Sequence, residues 1–510
     1  MRFKDATFTI KKLLCSYNKA AFCVLLPRLL KSSSNKDTLT STLKAYRIFV
    51  FTALIASLFY GCHKEELDEN SKLSFSTDLV SFDTVFTTVG SVTQNFRVHN
   101  PYNYDVKVDI FLAGGRSSAF SINVDGQVGT SFTDVQIPAR DSLFIHVKVN
   151  VNPNDQSQPF IITDSVIFRH GKTVQDVDLL AYGQNAHFIV ADEGSGSLRY
   201  KIIAHEHEVA HWTNDLPYVI YGGYAAVDSL GTLLIDPGTK IYFHSGAGIW
   251  VYRYGNIQAV GTKDEPIVFR GDRTSSWFDT DYAQWDRIWL NESHIDNHFE
   301  FVEITNAFIG LQVEALSEML PGRTFLKNCT IHNTYNSGIL ARATRLTAEN
   351  CQISNNGACG VQLHIGDYDL THLTIANYFH QSKREEPAVY VSNLFKSGDY
   401  AYVGDTRANF TNCIIYGMLT DEVGLYQSGD ETTLTATFEN CLIRNSQAMS
   451  NFVNCIRNQD PLFTHNSNQD YNLREGSPAI NAGKTGTGVT TDITGAPRDA
   501  TPDIGAFERQ

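Results

Sequence analysis

The chain lacks a hydrophobic run long enough to cross a membrane, and it carries little charge. Charged residues make up 19% of its 510 residues against 42% hydrophobic residues. This balance excludes a disordered chain and favours globular domains. The apolar segment Ile48–Tyr60 has 13 residues, whereas a membrane-spanning helix needs about 20. A chain of this length has room for two or three domains.

Positive charge is scarce outside the amino-terminal segment. Residues 1–61 hold ten of the 41 basic residues and two of the 55 acidic ones, which leaves a net charge of −22 on the remainder. This acidity argues against a nucleic-acid partner or an anionic lipid bound through a basic face. It also disfavours the binding of a polyanionic ligand unless a local basic groove or bound cations offset the negative charge.

Closely paired cysteines are missing from the repeat region, although the chain has 9 Cys. No C-x-x-C pair occurs there, so the spacing predicts packing residues and not a disulfide scaffold. Four Cys recur instead in the pattern Asn-Cys-x-Ile, and we expect them to be buried, reduced thiols. The four copies are Asn328–Ile331, Asn350–Ile353, Asn412–Ile415 and Asn440–Ile443.

The spacing of these copies predicts an all-β solenoid, a right-handed parallel β-helix. The first two copies are 22 residues apart, and a copy without Cys, His372–Ile375, follows after another 22. A period in the twenties is typical of a solenoid, and apolar spacing of two favours strands. Coils should stack at about 4.8 Å with a right-handed sense. Ile353 would then lie inside between Ile331 and Ile375, and the Asn residues would form an amide ladder at a corner.

The apolar run near the amino terminus is typical of a signal peptide, which we assign to 44–62. Its end, Leu58–Cys62, resembles the lipobox of bacterial lipoproteins, although Phe59 stands where Leu is usual. The resemblance implies that Cys62 is diacylated and becomes the first residue of the mature protein. An ordinary signal peptide or a single anchor helix is the alternative.

The residues after Cys62 resemble an export signal. Lys64, Glu65 and Glu66 are similar to the signal that sends some lipoproteins to the outer face of the outer membrane. We therefore expect a lipid-anchored outer-membrane protein that faces the cell exterior. Residues 1–43 do not fit a signal peptide and are interpreted as a non-native or disordered extension, or as an amphipathic surface helix.

Residues 73–190 alternate apolar and polar residues between turn signals, after a linker at 63–72. Several short strands at this spacing predict a β-sandwich. The segment resembles the immunoglobulin-like modules that precede repeat domains in bacterial surface proteins, and we interpret it as a spacer and docking module. Residues 191–217 are expected to be a linker or an amino-terminal cap.

The β-helix is expected at 218–510, with Gly at its tight corners supplying positive φ. Its carboxyl-terminal run, which includes Asp460–Phe463 and Asp503–Glu508, resembles the closing cap of a family of secreted and anchored bacterial β-helix proteins with the pectate-lyase-like fold. A cap is needed because the last coil exposes strand edges. The family includes polysaccharide lyases, glycoside hydrolases and adhesins, so the fold does not assign the chemistry.

One metal-binding motif matches by its residues, but its expected secondary structure is not the helix that the motif needs. His207–His211 matches the zinc-protease pattern H-E-x-x-H, which works on a helix, where both His side chains share one face. Here it lies between two β-domains and close to Pro217. We therefore favour a polar linker or cap at this position and predict no metal site and no cofactor.

Inserted loops supply the candidate catalytic residues. If the protein is a lyase, the resemblance implies a neutraliser for the uronate carboxylate, often Ca²⁺ held by Asp or Glu, and a Lys or Arg base. A solvated, charged loop face is the other interpretation. In a lyase, Lys383→Ala or Arg384→Ala should lower turnover with little loss of stability. The candidates are His364, Asp367, Asp369, Lys383 and Arg384.

A second candidate surface is aromatic. The alternation in Trp250, Tyr252 and Tyr254 predicts three rings on one strand face. If that face is outward, it offers a platform for stacking on sugar rings. If it is inward, the rings are core.

Three functions remain open from the sequence. The first is a non-catalytic surface lipoprotein that binds a glycan or a partner protein along a flank of the β-helix. The second is a polysaccharide lyase or glycoside hydrolase acting on an acidic polysaccharide. The third is a structural adhesin or stalk.

Overall fold

The structure, a computed structural model, describes residues 72–509 except 88–90, 92, 154–158, 197, 275–277 and 318–320. These residues belong to one compact unit, Lys72–Gln510. The predicted signal peptide, the lipidation site Cys62 and the export signal Lys64–Glu66 lie outside the described residues. In the part of the chain that is described, no helix has the length and hydrophobicity needed to cross a membrane.

Ten strands form two five-stranded sheets at the amino-terminal end of this unit. They are β1 (Ser74–Phe75), β2 (Leu79–Phe86), β3 (Gln94–His99), β4 (Val106–Leu112), β5 (Phe120–Val124), β6 (Gln127–Gly129), β7 (Ser131–Ile137), β8 (Ser142–Val149), β9 (Phe160–His170) and β10 (Thr173–Gln184).

The two sheets have the strand orders β1-β3-β8-β5-β6 and β2-β10-β9-β4-β7. They share one core because alternate side chains, such as Val106 and Val108 on β4, point inward and are buried. Phe168 of one sheet contacts Phe96 of the other, with ring centroids 6.1 Å apart. The predicted β-sandwich is therefore present.

The remaining strands wind into coils. They are β11 (His187–Val190), β12 (Glu193–Ser195), β13 (Leu198–Ala204), β14 (Val209–Trp212), β15 (Tyr218–Tyr221), β16 (Tyr224–Val227), β17 (Thr232–Ile235), β18 (Lys240–Phe243), β19 (Gly248–Val251), β20 (Asn256–Val260), β21 (Ile267–Gly271), β22 (Ile288–Asn291), β23 (Asn297–Glu300), β24 (Val302–Thr305), β25 (Leu311–Glu314), β26 (Arg323–Lys327), β27 (Thr330–Thr334), β28 (Ile339–Glu349), β29 (Gln352–Asn356), β30 (Val361–Thr371), β31 (Thr374–Asn377), β32 (Val389–Ser392), β33 (Leu394–Ser397), β34 (Tyr400–Val403), β35 (Thr406–Thr411), β36 (Ile414–Gly417), β37 (Val423–Tyr426), β38 (Leu434–Glu439), β39 (Leu442–Ile443), β40 (Phe452–Val453), β41 (Ile456–Arg457), β42 (Phe463–His465) and β43 (Asp470–Leu473).

Two long sheets form the walls of the solenoid. One has 11 strands in the order β11-β15-β18-β21-β24-β27-β29-β31-β36-β39-β41, and the other has 18 strands and runs from β12 to β40. The strands of successive coils pair in parallel, whereas β33 and β34 form an antiparallel hairpin outside the walls. The predicted parallel β-helix is confirmed.

The predicted interior ladders are present. Ile353 pairs with Ile331 on one side and Ile375 on the other, and all three are fully buried. The Cys of the four repeat copies are buried and free. Like residues stack because each coil repeats the same inward positions, so one sequence pattern builds a continuous core.

Asparagine forms the corner next to these ladders. Asn328 and Asn350 adopt the left-handed conformation with φ of 52° and 50°, which Asn tolerates better than most residues. The Asn350 amide donates to Asn328 Oδ1 at 3.2 Å, which confirms the amide ladder at this pair. His372 interrupts the ladder and accepts from the Asn412 amide at 3.0 Å. The Asn440 amide donates instead to the Ala482 carbonyl at 3.3 Å.

Glycine plays two different roles at the corners. Gly238 has a φ of 79°, as predicted for a tight turn. At Gly338 the reason is close approach, because a Cβ there would lie 2.7 Å from Ile353 Cγ2 and 2.8 Å from the Gly360 carbonyl oxygen. The expectation that corner glycines supply positive φ therefore holds at only some positions.

The first coil begins earlier than predicted. β11 pairs with β15, β13 with β16 and β14 with β17, all in parallel. The segment 191–217, expected to be a linker or cap, therefore supplies solenoid strands, and the boundary at 218 is one coil too late. The sequence missed this because the segment carries no copy of the Asn-Cys-x-Ile pattern.

The carboxyl-terminal segment 461–508, here called the strap, runs along the side of several coils. The Gly505 amide donates to the Asn412 carbonyl at 2.8 Å, and Gln469 reaches Asn333 at 3.1 Å. The cap expected on the last coil is therefore a lateral support. Apolar residues of the strap and of the coil exterior share a small core, formed by Phe463, Tyr471, Leu473, Ala479 and Ile504 with Ala376, Ile414 and Leu442.

Candidate functional site

Two rows of outward side chains on the 18-stranded sheet form the surface that we call the outer face. They point outward because their neighbours along each strand, such as Leu290 and Val313, point into the core. Register pairs align the members of each row from coil to coil. One row contains Trp250, Trp289, Gln312, Leu340, Gln362 and Tyr390, and the other contains Asn291, Glu314, Arg342, His364 and Ser392.

Aromatic rings occupy one end of the outer face. Trp250 packs against Trp289 with centroids 5.7 Å apart and planes 18° apart, and against Tyr252 at 5.3 Å. β19 ends at Val251, so Tyr252 and Tyr254 lie on a turn, and Tyr254 contacts His294 at 5.2 Å. The prediction of three rings on one strand face is therefore wrong. The rings form a cluster whose members partly cover one another.

Glu314 organises the polar centre of the outer face. It is only 5% exposed, and it accepts hydrogen bonds from Trp289 Nε1 at 2.7 Å and Gln312 Nε2 at 3.0 Å. Asn291 Nδ2 lies at 3.3 Å from the same carboxylate. Arg287 donates in turn to Gln312 Oε1. This network holds an acid, two amides and an indole in fixed positions, which suits hydrogen bonding to a polar ligand.

Arg342 and His364 continue the row beyond Glu314. Burial lowers the pKa of Arg342, while the charge of Glu314 opposes that shift. Burial lowers the pKa of His364 to about 4, although its hydrogen bond with the Leu394 carbonyl, at 2.9 Å, opposes the shift. Phe395 of the β33–β34 hairpin lies against both side chains, 5.4 Å from the guanidinium carbon and 6.0 Å from the imidazole centroid. The hairpin therefore borders this end of the outer face.

Asp367 and Asp369 lie in another row, on the second half of β30. Asp367 binds Arg323 at 2.6 Å, and Asp369 binds Arg407 at 3.0 Å. Burial would raise the pKa of Asp369, but hydrogen bonds from Asn409 and Arg407 outweigh it and lower the pKa. These carboxylates are thus neutralised by arginines of adjacent coils.

The basic loop residues lie elsewhere. Lys383 is 85% exposed and pairs with Glu385 at 3.1 Å. The Arg384 side chain is 2% exposed and binds the fully buried Glu422 carboxylate at 2.8 and 2.5 Å. The five candidates predicted to line one groove are therefore divided among different environments, because the two halves of β30 pair with different strands and Arg384 is buried.

The H-E-x-x-H motif is not helical. His207 lies in a turn with φ of 63°, and His211 lies on β14, where it pairs with Asp236 at 2.7 Å. Across the described ranges, no group of three or more His, Cys, Asp or Glu side chains is arranged to hold a metal ion.

A cavity of about 240 Å³ opens on a neighbouring part of the same sheet, outside the outer face. His298 and Phe325 stack there with centroids 4.8 Å apart, and Lys327 pairs with Glu300 at 2.9 Å. No local sequence pattern indicates this cavity, because its lining comes from four strands that are distant in the chain.

Local sequence patterns do not indicate a functional role for Glu314, Gln312 and Arg342 either. Their only signal is position: each lies on a strand of the 18-stranded sheet, at an outward place that aligns with Trp250 or His364 once the register is known.

Comparison with known proteins supports the fold. The sequence family described as "Right handed beta helix region" matches residues 280–395. A search of curated proteins found no match. The described chain is thus a β-sandwich joined to a right-handed parallel β-helix.

Solved structures match weakly. The catalytic domain of a GH87 α-1,3-glucanase in complex with nigerose is 10% identical over 68% of this chain and 81% of that chain, with a TM-score of 0.20. A family 123 glycoside hydrolase from Clostridium perfringens is 8% identical over 23% of this chain and 30% of its own, with a TM-score of 0.18. PapD-like domain 7 of human CEP192 is 9% identical over 24% and 92%, with a TM-score of 0.17. These likenesses carry no argument about function.

Proposed function

We propose that this protein is a surface lipoprotein that binds a glycan on the outer face without cleaving it. The observation that carries the proposal is the Glu314 network beside Trp289. Sugar sites combine an aromatic surface with a few fixed polar groups that point at hydroxyls. Here Trp289 supplies the ring, and Gln312 and Asn291 supply amides held by the same carboxylate.

The hydrogen bonds and ion pairs of the acidic side chains favour binding without turnover. Most glycoside hydrolases use two carboxyl groups that are free to exchange a proton or attack the sugar. Glu314 accepts hydrogen bonds from three side chains, and Asp367 and Asp369 are paired with arginines. Of the two bases proposed for a lyase, Arg384 is buried against Glu422, and Lys383 is exposed and paired with Glu385. These pairings support a binding role over the lyase or hydrolase alternative.

A glycan array and a product assay test this proposal with a protein of residues 63–510. We expect at least one glycan to bind and no shortened or unsaturated sugar to form. Trp289→Ala should weaken binding about tenfold or more, whereas Phe325→Ala, in the separate cavity, should not. Binding that survives both Trp289→Ala and Gln312→Ala would place the site elsewhere. Product release would favour an enzyme, and a blank array would favour an adhesin or stalk.

The anchor is a separate part of the proposal and rests on the sequence. Cys62→Ala should abolish lipid attachment, because Cys62 is the thiol at the end of the apolar run. Replacing Lys64, Glu65 and Glu66 with Ala should leave the protein anchored but protected from protease added to whole cells. Fatty acid incorporated into the Cys62→Ala protein would contradict the anchor, and unchanged protease sensitivity would contradict the export signal.

A further inference from the structure

Cys441 and Cys455 are stacked thiols at the carboxyl-terminal end of the solenoid. Each comes just before a wall strand, and the next residues, Leu442 of β39 and Ile456 of β41, pair in parallel. Adjacent parallel strands lie about 4.8 Å apart, and a disulfide needs Cα atoms about 4.4–6.8 Å apart. The two thiols also share a hydrogen bond. The register therefore places Cys441 and Cys455 within reach of a disulfide.

Cys455 differs from the other described cysteines in its exposure. It is half-buried, whereas the others are buried, namely Cys329, Cys351, Cys359, Cys413 and Cys441. Among the described strands, β41 is the last of its wall, so no further strand of that wall covers Cys455. The hydrogen bond with Cys441 lowers the pKa of Cys455, although burial opposes that shift. Because the thiolate is the nucleophile in thiol–disulfide exchange, Cys455 is the thiol that a small disulfide compound can reach and react with first.

Cys441 has the position of a resolving thiol beneath Cys455. It is fully buried, and the Cys413 backbone amide donates to its sulfur at 3.4 Å. Burial raises its pKa, and the neighbouring thiols Cys413 and Cys455 add to that shift. Bonding of Cys455 to another sulfur removes part of the shift, because a disulfide sulfur carries no charge. An outside reagent therefore reaches Cys441 only through Cys455, as in redox-active cysteines that are paired with a resolving thiol.

A second stacked pair lacks this access. Thr330 and Gln352 are register partners, so Cys329 and Cys351, which precede them, stack in the same way. These two thiols also share a hydrogen bond. They belong to inner coils and are 1% and 0% exposed. Stacking alone therefore does not decide reactivity, and exposure at the last coil distinguishes the pair of Cys441 and Cys455.

We propose that Cys441 and Cys455 form a disulfide when Cys455 reacts with a disulfide compound, and that this bond fastens the last coil to the coil before it. Cys455 loses its proton, and its sulfur attacks one sulfur of the compound, which forms a mixed disulfide and releases one thiol. Cys441 then loses its proton, its sulfur attacks the Cys455 sulfur, and the second thiol leaves. In total the two cysteines lose two electrons and two protons, and the compound is reduced to two thiols.

Oxidised glutathione is the probe that tests this site. A reduced protein of residues 63–510 is incubated with it in native buffer, and unreduced peptides are mapped by mass spectrometry. We expect one intramolecular disulfide, between Cys441 and Cys455, with the other thiols unmodified. Cys455→Ser should form neither a disulfide nor a glutathione adduct. Cys441→Ser should keep glutathione on Cys455, because the resolving thiol is missing. Cys351→Ser, in the buried pair, should react like the parent.

Hydrogen exchange of the parent protein measures the effect on the last coil and needs no variant. The amides of β41 should exchange about tenfold or more slowly in the oxidised protein, because the disulfide restricts local opening of that coil. The amides of β29, beside the buried pair of Cys329 and Cys351, should exchange at the same rate in both forms.

Three results would overturn the proposal. A disulfide between Cys329 and Cys351, or a glutathione adduct on Cys455 that persists in the parent protein, would show that Cys441 does not act as the resolving thiol. Native protein in which every thiol stays reduced would show that Cys455 is not accessible. A disulfide that forms while β41 exchanges at an unchanged rate would show that the bond does not fasten the coil.

Discussion

Arg498 donates a hydrogen bond to Asn350 Oδ1 at 2.9 Å, across 148 residues of sequence. The same guanidinium pairs with Glu508 at 2.9 Å, and both side chains are 2% exposed. The contact ties the strap to the asparagine corner. The corner ladder is therefore an internal surface, and His372, which replaces an asparagine in it, also contacts the strap at the Gly505 carbonyl.

His372, which replaces Asn in that ladder, should make stability depend on pH. Burial, with Arg498 nearby, lowers its pKa to about 3 from 6.5 in the unfolded chain. Below pH 6.5 the His372 imidazole is protonated in the unfolded chain, whereas it stays neutral in the folded chain. The folded state therefore has its full stability above pH 6.5 and loses stability as the pH falls towards 3.

Urea unfolding at pH 7 and pH 4 measures this effect. His372→Asn restores the ladder residue and should reduce the acid-induced loss by about 2–3 kcal/mol. His207→Asn, at a side chain 74% exposed, should not alter the loss. An identical loss in the His372→Asn and parent proteins would contradict the assignment.

The Arg384–Glu422 pair should be a major source of stability. Arg384→Ala leaves a buried carboxylate without its counter-charge, at a cost of about 3–5 kcal/mol. Lys383→Ala removes an exposed cation and should stay within about 0.5 kcal/mol. This corrects the expectation that both changes spare stability. Thermal unfolding measures the difference, and equal melting temperatures for the two variants would show that the ion pair is not buried in solution.

Cys455 should be the reactive thiol of the repeat region. Among the described Cys it alone is half-buried, and a hydrogen bond with Cys441 lowers its pKa. In a protein of residues 63–510, a thiol reagent should label one Cys quickly and the rest after denaturation. Cys455→Ser should abolish the fast phase, and Cys359→Ser should not. Fast labelling of several thiols would contradict the prediction that the Cys ladder is buried.

The interior register predicts a large penalty at Ile353. Ile353→Asp places a carboxylate between Ile331 and Ile375 with no partner, at a cost of about 3 kcal/mol or more. Thr435→Asp, at an exposed outward position of another coil, is the control and should be nearly neutral. Circular dichroism melting curves compare the two, and a parent-like melt for Ile353→Asp would disprove the register.

The sequence predicted the solenoid because its repeat is a local property. A step of 22 residues and an apolar spacing of two are visible without coordinates, and they placed Ile353 and the Cys ladder correctly. The first coil was missed because its strands lack the repeat pattern. The strap was misread as a cap because its contacts, such as Arg498 with Asn350, span distances that no local pattern records.

The candidate site also has a part that the sequence predicts and a part that only the structure reveals. Trp250 and His364 were predicted separately, and register alone shows that their two rows are neighbours on one sheet. Lys383 and Arg384 are adjacent in sequence, yet one is solvent-exposed and the other is buried in an ion pair.

The sequence by itself determined the architecture, because a repeated strand pattern has one way to bury its apolar residues, by stacking like on like. Only the tertiary structure decided which polar residues meet. Outward side chains in a solenoid gain their neighbours from adjacent coils, and inserted loops vary the chain distance between them. The row of Asn291, Glu314, Arg342, His364 and Ser392 follows from that stacking.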